Sequence, residues 1–253
     1  MQSIFKTLIC CSLLVMSFQW TNGQNDIKQQ ADKAYQSANY SQAASLYSQL
    51  INEGYHTHEL YYNLGCAYFR MDKLGLSILN FERALLLKPA DRDTRANLIF
   101  ANSRTQDQIT PLPQFFLTRW WNQLVGAFTP HTWLWIMLVV ALLLGTAIAI
   151  FMLSIETRTR RIMLGICSLT AIIAIITAVC TIQSNQRFHA HNSAIVTSNT
   201  VTVKSAPETN STDRLVLHEG TKVTIDEAVG SWYRIGIADG NNGWVNSSEI
   251  TRI

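Results

Sequence analysis

The sequence predicts a multidomain membrane protein: an all-α array of helical repeats, a two-helix transmembrane hairpin and a small all-β barrel. Three observations point there. Residues 133–153 and 162–182 each run for 21 positions without a charged side chain. Between residues 25 and 108, small and large apolar residues recur with a period of 34. From about residue 190 onward, short stretches alternate apolar and polar side chains. The 48% hydrophobic content is therefore concentrated in blocks.

Residues 1–23 read as a secretory signal. Lys6 precedes the apolar run "TLICCSLLVMSF", and "TNG" offers small residues for a cut after Gly23. An uncleaved anchor is the alternative, but the run falls short of a full span. Neither Cys10 nor Cys11 follows the small-residue pattern of a lipid-attachment signal. Of the remaining cysteines, Cys167 and Cys180 stand 13 residues apart in one span, about 20 Å along a helix, too far to bridge. Cys66 is alone outside the membrane, so no disulfide framework is expected. The net charge of +3 is scattered, and nucleic acid binding has no support.

Residues 24–108 carry the repeat. Ala31, Ala43 and Tyr47 precede Gly65, Ser77 and Phe81 by 34 positions each. A 34-residue period indicates helix-turn-helix units, in which small residues let two helices approach and large ones fill the space beside them. In the second unit Tyr61, Leu64, Gly65, Tyr68, Phe81, Ala84 and Pro89 resemble the tetratricopeptide repeat family. Two repeats are expected, followed by a capping helix in "DRDTRANLIFANSRTQDQ", where Leu98 follows Leu64 by 34. Such arrays bind peptides or partner helices in a groove lined by first-helix residues. The resemblance places Lys28, Asp32 and Tyr35 there from the first unit, and Glu59, Tyr62, Cys66, Phe69 and Arg70 from the second. Exposed helix faces without a partner are the alternative reading of these residues.

Residues 109–131 form a linker. Pro111 and Pro113 stop the array, and "QFFLTRWWNQLVGAF" places Thr118, Arg119, Asn122 and Gln123 on one helical face against phenylalanines, tryptophans and leucine elsewhere. An amphipathic helix in the headgroup region is expected, with Trp133 and Trp135 extending an aromatic belt. Docking on the repeats is the alternative. The spans are residues 132–153 and 162–182, because a membrane helix needs roughly 20 apolar residues to satisfy its backbone internally. Residues 154–161 between them hold Arg158, Arg160 and Arg161, whereas Arg119 and Arg187 stand alone beside the outer ends. Arginine clusters stay in the cytoplasm, so a cytoplasmic loop and two exported domains are expected. Anionic headgroups of the bilayer could also engage this loop.

Residues 190–253 read as about five short strands. "VTVKSAP", "LHEGTKVTI", "SWYRIGIADGNNGWV" and "EITRI" resemble a bacterial SH3-like domain, with Gly220, Gly240 and Gly243 in its turns. Trp232, Tyr233 and Trp244 are the candidates for a peptide- or glycan-binding surface. Core packing is the alternative for both tryptophans and is the expectation for Trp244, since small domains rely on their few large side chains.

His56 with His58, and His189 with His191, lack a third ligand of metal-site kind and read as solvated loop residues. No metal, cofactor or catalytic residue is expected, and no enzyme. The order of signal, repeats, two spans and SH3-like module resembles the BatE-like family of the Bacteroides aerotolerance operon. That resemblance implies an adaptor in a membrane complex linked to oxidative stress. Its partners would be envelope proteins, including von Willebrand-domain membrane proteins and a MoxR-type ATPase system. Binding to peptidoglycan through the SH3-like module is the alternative function.

Overall fold

The computed structural model describes residues 26–190 and 192–253. The expected signal, residues 1–23, lies outside the described residues, as does His191.

Five helices form the first unit: α1 over residues 26–36, α2 Tyr40–Asn52, α3 His58–Arg70, α4 Leu74–Leu87 and α5 Arg92–Asn102. The 34-residue period of the sequence recurs in the backbone. Ala38 and Asp72, 34 apart, both adopt positive φ (61° and 58°) where α1 and α3 stop. Thr57 and Asp91, again 34 apart, cap α3 and α5 with side chains that accept from the amides of Leu60 and Thr94. The buried residues repeat as well: Leu60, Leu64 and Ala67 on α3 correspond to Thr94, Leu98 and Ala101 on α5. Thus α5 begins a third unit that has no second helix of its own. The Phe81 ring, 1% exposed, packs so closely over Gly65 that a β-carbon there would lie 2.7 Å from it. Beside it the Ser77 hydroxyl donates to the Gly65 carbonyl (2.9 Å).

Helix α6 (Phe116–Val125) leads to the hairpin α7 (Pro130–Leu153) and α8 (Thr157–Ala190). Both hairpin helices are long and apolar enough to cross a membrane, with mean hydropathies of 2.9 and 2.6 over their most apolar 18-residue stretches. The 24-residue α7 is about 36 Å long and the 34-residue α8 about 51 Å. Only residues 154–156 connect them, so the expected loop over 154–161 is shorter, and Arg158, Arg160 and Arg161 stand in the first turns of α8. The other end of α8 overhangs α7 and is braced by α6. There Trp121 Nε1 donates to Gln183 Oε1 (2.8 Å) and Arg187 Nη2 to Asn122 Oδ1 (2.6 Å).

The last unit has seven strands rather than about five: β1 Ser193–Val196, β2 Thr200–Lys204, β3 Asp213–His218, β4 Lys222–Val229, β5 Trp232–Gly236, β6 Asn242–Asn246 and β7 Ile250–Arg252. They form one antiparallel sheet in the order β3-β2-β6-β5-β4-β1-β7. Leu217 of β3 and Ile250 of β7, from opposite edges, share one core with Val201, Val223, Ile235 and Val245, so the sheet curls around its own centre. Gly243 is a strand residue, not the expected turn residue. A β-carbon there would strike Val203 and the Lys204 carbonyl, because β6 and β2 approach closely.

This barrel is seated on the helical repeats. Strand β1 is buried on both faces: Ala194 and Val196 enter the barrel core, while Ile195 points the other way into a cluster with Ile78, Phe81 and Leu98. At the seam a β-carbon on Gly75 would meet the Val196 carbonyl at 2.7 Å, and one on Gly220, whose φ is +89°, would meet Thr105 at 2.7 Å. Backbone touches backbone here, which only glycine permits. Because the two units contact each other and are joined by a hairpin, they lie on the same side of any membrane that the hairpin crosses.

Candidate functional site

The groove candidates of the repeats stand on α1 and α3. Lys28, Asp32 and Tyr35 lie at i, i+4 and i+7 of α1, and Glu59, Tyr62, Cys66 and Phe69 follow one face of α3. A cavity of about 350 Å³ opens between them, lined by the predicted Asp32, Tyr35, Tyr62 and Cys66. Gln36, Tyr47 and Asn63 complete the lining. Lys28 bridges Asp32 (3.1 Å) and Glu59 (2.9 Å). Its Glu59 bond, followed by its Asp32 contacts, outweighs burial and raises the ammonium above its ordinary range. The Tyr47 hydroxyl donates to Asp32 Oδ1 (2.6 Å), and burial together with that carboxylate holds the phenol far above its usual range. Burial likewise pushes Tyr62 up to about 12 and raises the Cys66 thiol. The cavity therefore presents phenol hydroxyls and a thiol beside one carboxylate that accepts from Tyr47.

Phe69 and Arg70 lie outside this lining. Phe69 packs on Phe100 of α5 (ring centroids 5.5 Å apart), and Arg104 lies over both rings. Arg70 lies over the Tyr40 ring (5.7 Å) at the groove edge. From α5, Asn97 Nδ2 donates to the Tyr62 hydroxyl (3.0 Å) and approaches Cys66 Sγ (3.9 Å). Sequence reasoning passed over Gln36, Asn63 and Asn97. Their signal was available: Gln36 and Asn63 each follow a predicted groove residue by four positions, and Asn97 follows Asn63 by 34. His58 is also more than a solvated loop residue. Half-buried at the start of α3, it bonds Thr94 (3.0 Å) and stacks on Tyr62.

On the barrel, the three aromatic candidates divide between two faces. Tyr233 pairs with Val245, packs on the core and lies under Arg252 (4.9 Å). Trp232 and Trp244 alternate away from the buried Ile235 and Val245 and stand half-exposed on the outer face, flanking Arg234. The expectation that Trp244 fills the core is thus corrected, because valine and isoleucine from all parts of the sheet fill it instead. The two tryptophans are diagonal neighbours across β5 and β6, close enough for large rings to form one surface.

Between repeats and barrel, Asp107 acts as a polar clasp. Its carboxylate accepts from the His218 amide (2.7 Å) and the Thr221 hydroxyl (2.6 Å), and lies 2.7 Å from His218 Nδ1. Burial alone would raise the carboxyl, but these bonds hold it below the usual carboxylate range. A lowered value in the folded state means that the clasp stabilises fully above the unfolded carboxylate pKa of about 4, and is lost as pH falls through the folded value. Melting temperature is therefore expected to drop on acidification below about pH 4, and Asp107→Asn to flatten that drop while lowering stability at neutral pH. A variant with an unchanged acid profile would remove this role from Asp107.

The topology candidates Arg158, Arg160 and Arg161 gather at the far end of the hairpin, where Arg160 lies over the Phe151 ring (5.2 Å).

Residues 199–251 match the bacterial SH3 domain family. No curated protein matches the chain. The matched residues begin after β1, so the strand that seats the barrel on the repeats lies outside the family match.

Proposed function

We propose that this chain is a non-catalytic adaptor of a bacterial inner membrane that binds exported envelope proteins through its repeats and its SH3 domain. The observation that supports this best is the open, polar, tyrosine-lined cavity between α1 and α3. The bacterial SH3 domain on the same side of the membrane is consistent with protein or peptidoglycan binding. The 34-residue helical repeat supports membership of the tetratricopeptide family, and the architecture supports a BatE-like place in an aerotolerance complex. Its partners would then be von Willebrand-domain membrane proteins and a MoxR-type ATPase system. The arginines at the α7–α8 connection support a cytoplasmic hairpin tip, which puts both recognition modules in the periplasm.

A photoreactive side chain at Asn63, in the cavity wall, tests the proposal in cells. Exported envelope proteins are the expected adducts, lost when Tyr35 and Tyr62 are replaced by alanine. Adducts confined to cytosolic proteins would overturn the orientation, and an absence of adducts would overturn the adaptor. The half-exposed pair Trp232 and Trp244 favours a second reading, anchoring to peptidoglycan. In that case the purified chain binds sacculi, and Trp232→Ala with Trp244→Ala releases it; an adaptor is not retained.

A further inference from the structure

The seam between repeats and hairpin contains a cationic crevice that neither the groove nor the SH3 domain uses. Its walls are the first turn of α5 with Arg92 and Arg95, and the end of α6 with Asn122, Gln123 and Gly126, which enclose a cavity of about 600 Å³. A neighbouring cavity of about 380 Å³ carries the lining on to Arg187, Lys222 and Glu82. Arg119 stands on the same α6 face as Asn122 and Gln123, one turn earlier.

These cations lack the anions that usually neutralise them. Among the described residues no carboxylate lies within ion-pair distance of Arg92, Arg95 or Arg187, whose bonds go to neutral oxygens: Arg95 Nη2 to the Pro89 carbonyl (2.6 Å), and Arg187 to Asn122. Glu82, the acid in the adjoining lining, is already paired with Lys222 (2.8 Å). Three exposed guanidiniums thus line two adjoining cavities, with Arg95 shared by both, and have no carboxylate partner among the described residues; guanidinium forks match the oxygens of phosphate.

The depth of the crevice identifies its ligand. Its lining residues, from Gly126 on to Pro130 in the neighbouring cavity, lead into α7, whose expected span begins at Thr132. Two residues of helix put Pro130 about 3 Å above the hydrocarbon. The headgroup layer is about 5–8 Å thick on each side of the bilayer, so this lining lies within it, in the same two cavities as the guanidiniums. Beside them the amphipathic α6 leaves Phe116, Leu117 and Trp120 more than half exposed, as a helix lying on acyl chains would.

We propose that this crevice binds the phosphate headgroup of an anionic lipid in the leaflet that faces the soluble units, with Arg92, Arg95 and Arg187 as its ligands. The lipid fastens the repeats to the membrane surface and so fixes the height at which the groove is held.

Full-length protein, stripped of lipid in neutral detergent, tests this through native mass spectrometry and titration in nanodiscs. Phosphatidylglycerol is expected to be retained in preference to phosphatidylcholine. Each arginine near a charged surface contributes about fivefold in affinity. Arg92→Gln is therefore expected to weaken binding about fivefold, and the variant lacking Arg92, Arg95 and Arg187 more than tenfold. Arg158→Gln with Arg160→Gln and Arg161→Gln, at the other end of the hairpin, leaves the preference intact. Arg95 and Arg187 also brace the fold, whereas the Arg92 side chain has no partner among the described residues. Its single variant should melt like the parent in lipid-free detergent, which makes it the decisive one. Binding of phosphatidylglycerol by Arg92→Gln and the triple variant at parental affinity overturns the proposal. So does a preference abolished only by the Arg158, Arg160 and Arg161 variant, or an equal rise in melting temperature with inorganic phosphate alone.

Discussion

Phe81→Ala is expected to cost the repeat unit about 3–5 kcal/mol, the usual loss for a fully buried phenylalanine. The ring is 1% exposed and fills the space above Gly65, which has no side chain of its own to relax into the void. The same cluster contains Ile78, Leu98 and, from the barrel, Ile195. The cavity would therefore open where α3, α4, α5 and β1 meet, so the damage reaches the seat of the barrel as well as the repeat. Against a total stability of roughly 5–15 kcal/mol for a domain, this is a large fraction. Denaturant melting of the full chain, followed by circular dichroism, should show the helical transition move to lower concentration. A shift smaller than about 1 kcal/mol would mean that the ring is not the keystone of the cluster.

Gly75→Val should separate barrel from repeats while leaving each folded. In a helix, replacing glycine removes an entropic cost of roughly 0.5–1 kcal/mol relative to alanine, so α4 itself tolerates a side chain. The barrel does not. A β-carbon at Gly75 comes within 2.7 Å of the Val196 carbonyl and 3.3 Å of the Gly220 amide nitrogen, both backbone atoms that cannot turn aside. Overpacking of this kind costs typically 1–3 kcal/mol, and the least costly relief is for the barrel to lift. The Gly75 amide would then lose its bond to Glu219 (3.2 Å), and the Asp107 clasp would open. Hydrogen exchange should accelerate by about tenfold or more in residues 217–222 and in the first turn of α4, with the interior of β5 unchanged. Unaltered exchange at those segments would show that the docked state tolerates the side chain.

The parts legible in the sequence were those enforced by local chemistry. A stretch of 21 uncharged residues marks a helix long enough to cross a membrane, and both stretches lie in such helices. The period of 34 was legible because each unit must repeat its small-on-large contact, as at Ala31 and Gly65, to stack at all. The groove was half legible: Asp32, Tyr35, Tyr62 and Cys66 line one cavity, as helical spacing implied. Phe69 packs on Phe100 of α5, and spacing within α3 carries no information about how α5 packs. Alternation around Trp232, Tyr233 and Trp244 revealed two faces without showing which would be covered. Burial of valine and isoleucine from both edges of the sheet settled that, and left the tryptophans outside.

The sequence by itself therefore determined three modules and their order, because hydrophobic periodicity and span length are local properties of the chain. Only the tertiary structure decided that the first and last modules are one body. Gly75 against Val196, Asp107 against His218 and Ile195 against Phe81 join residues more than 100 positions apart. No sequence period can encode such contacts, since each depends on two surfaces meeting after both have folded.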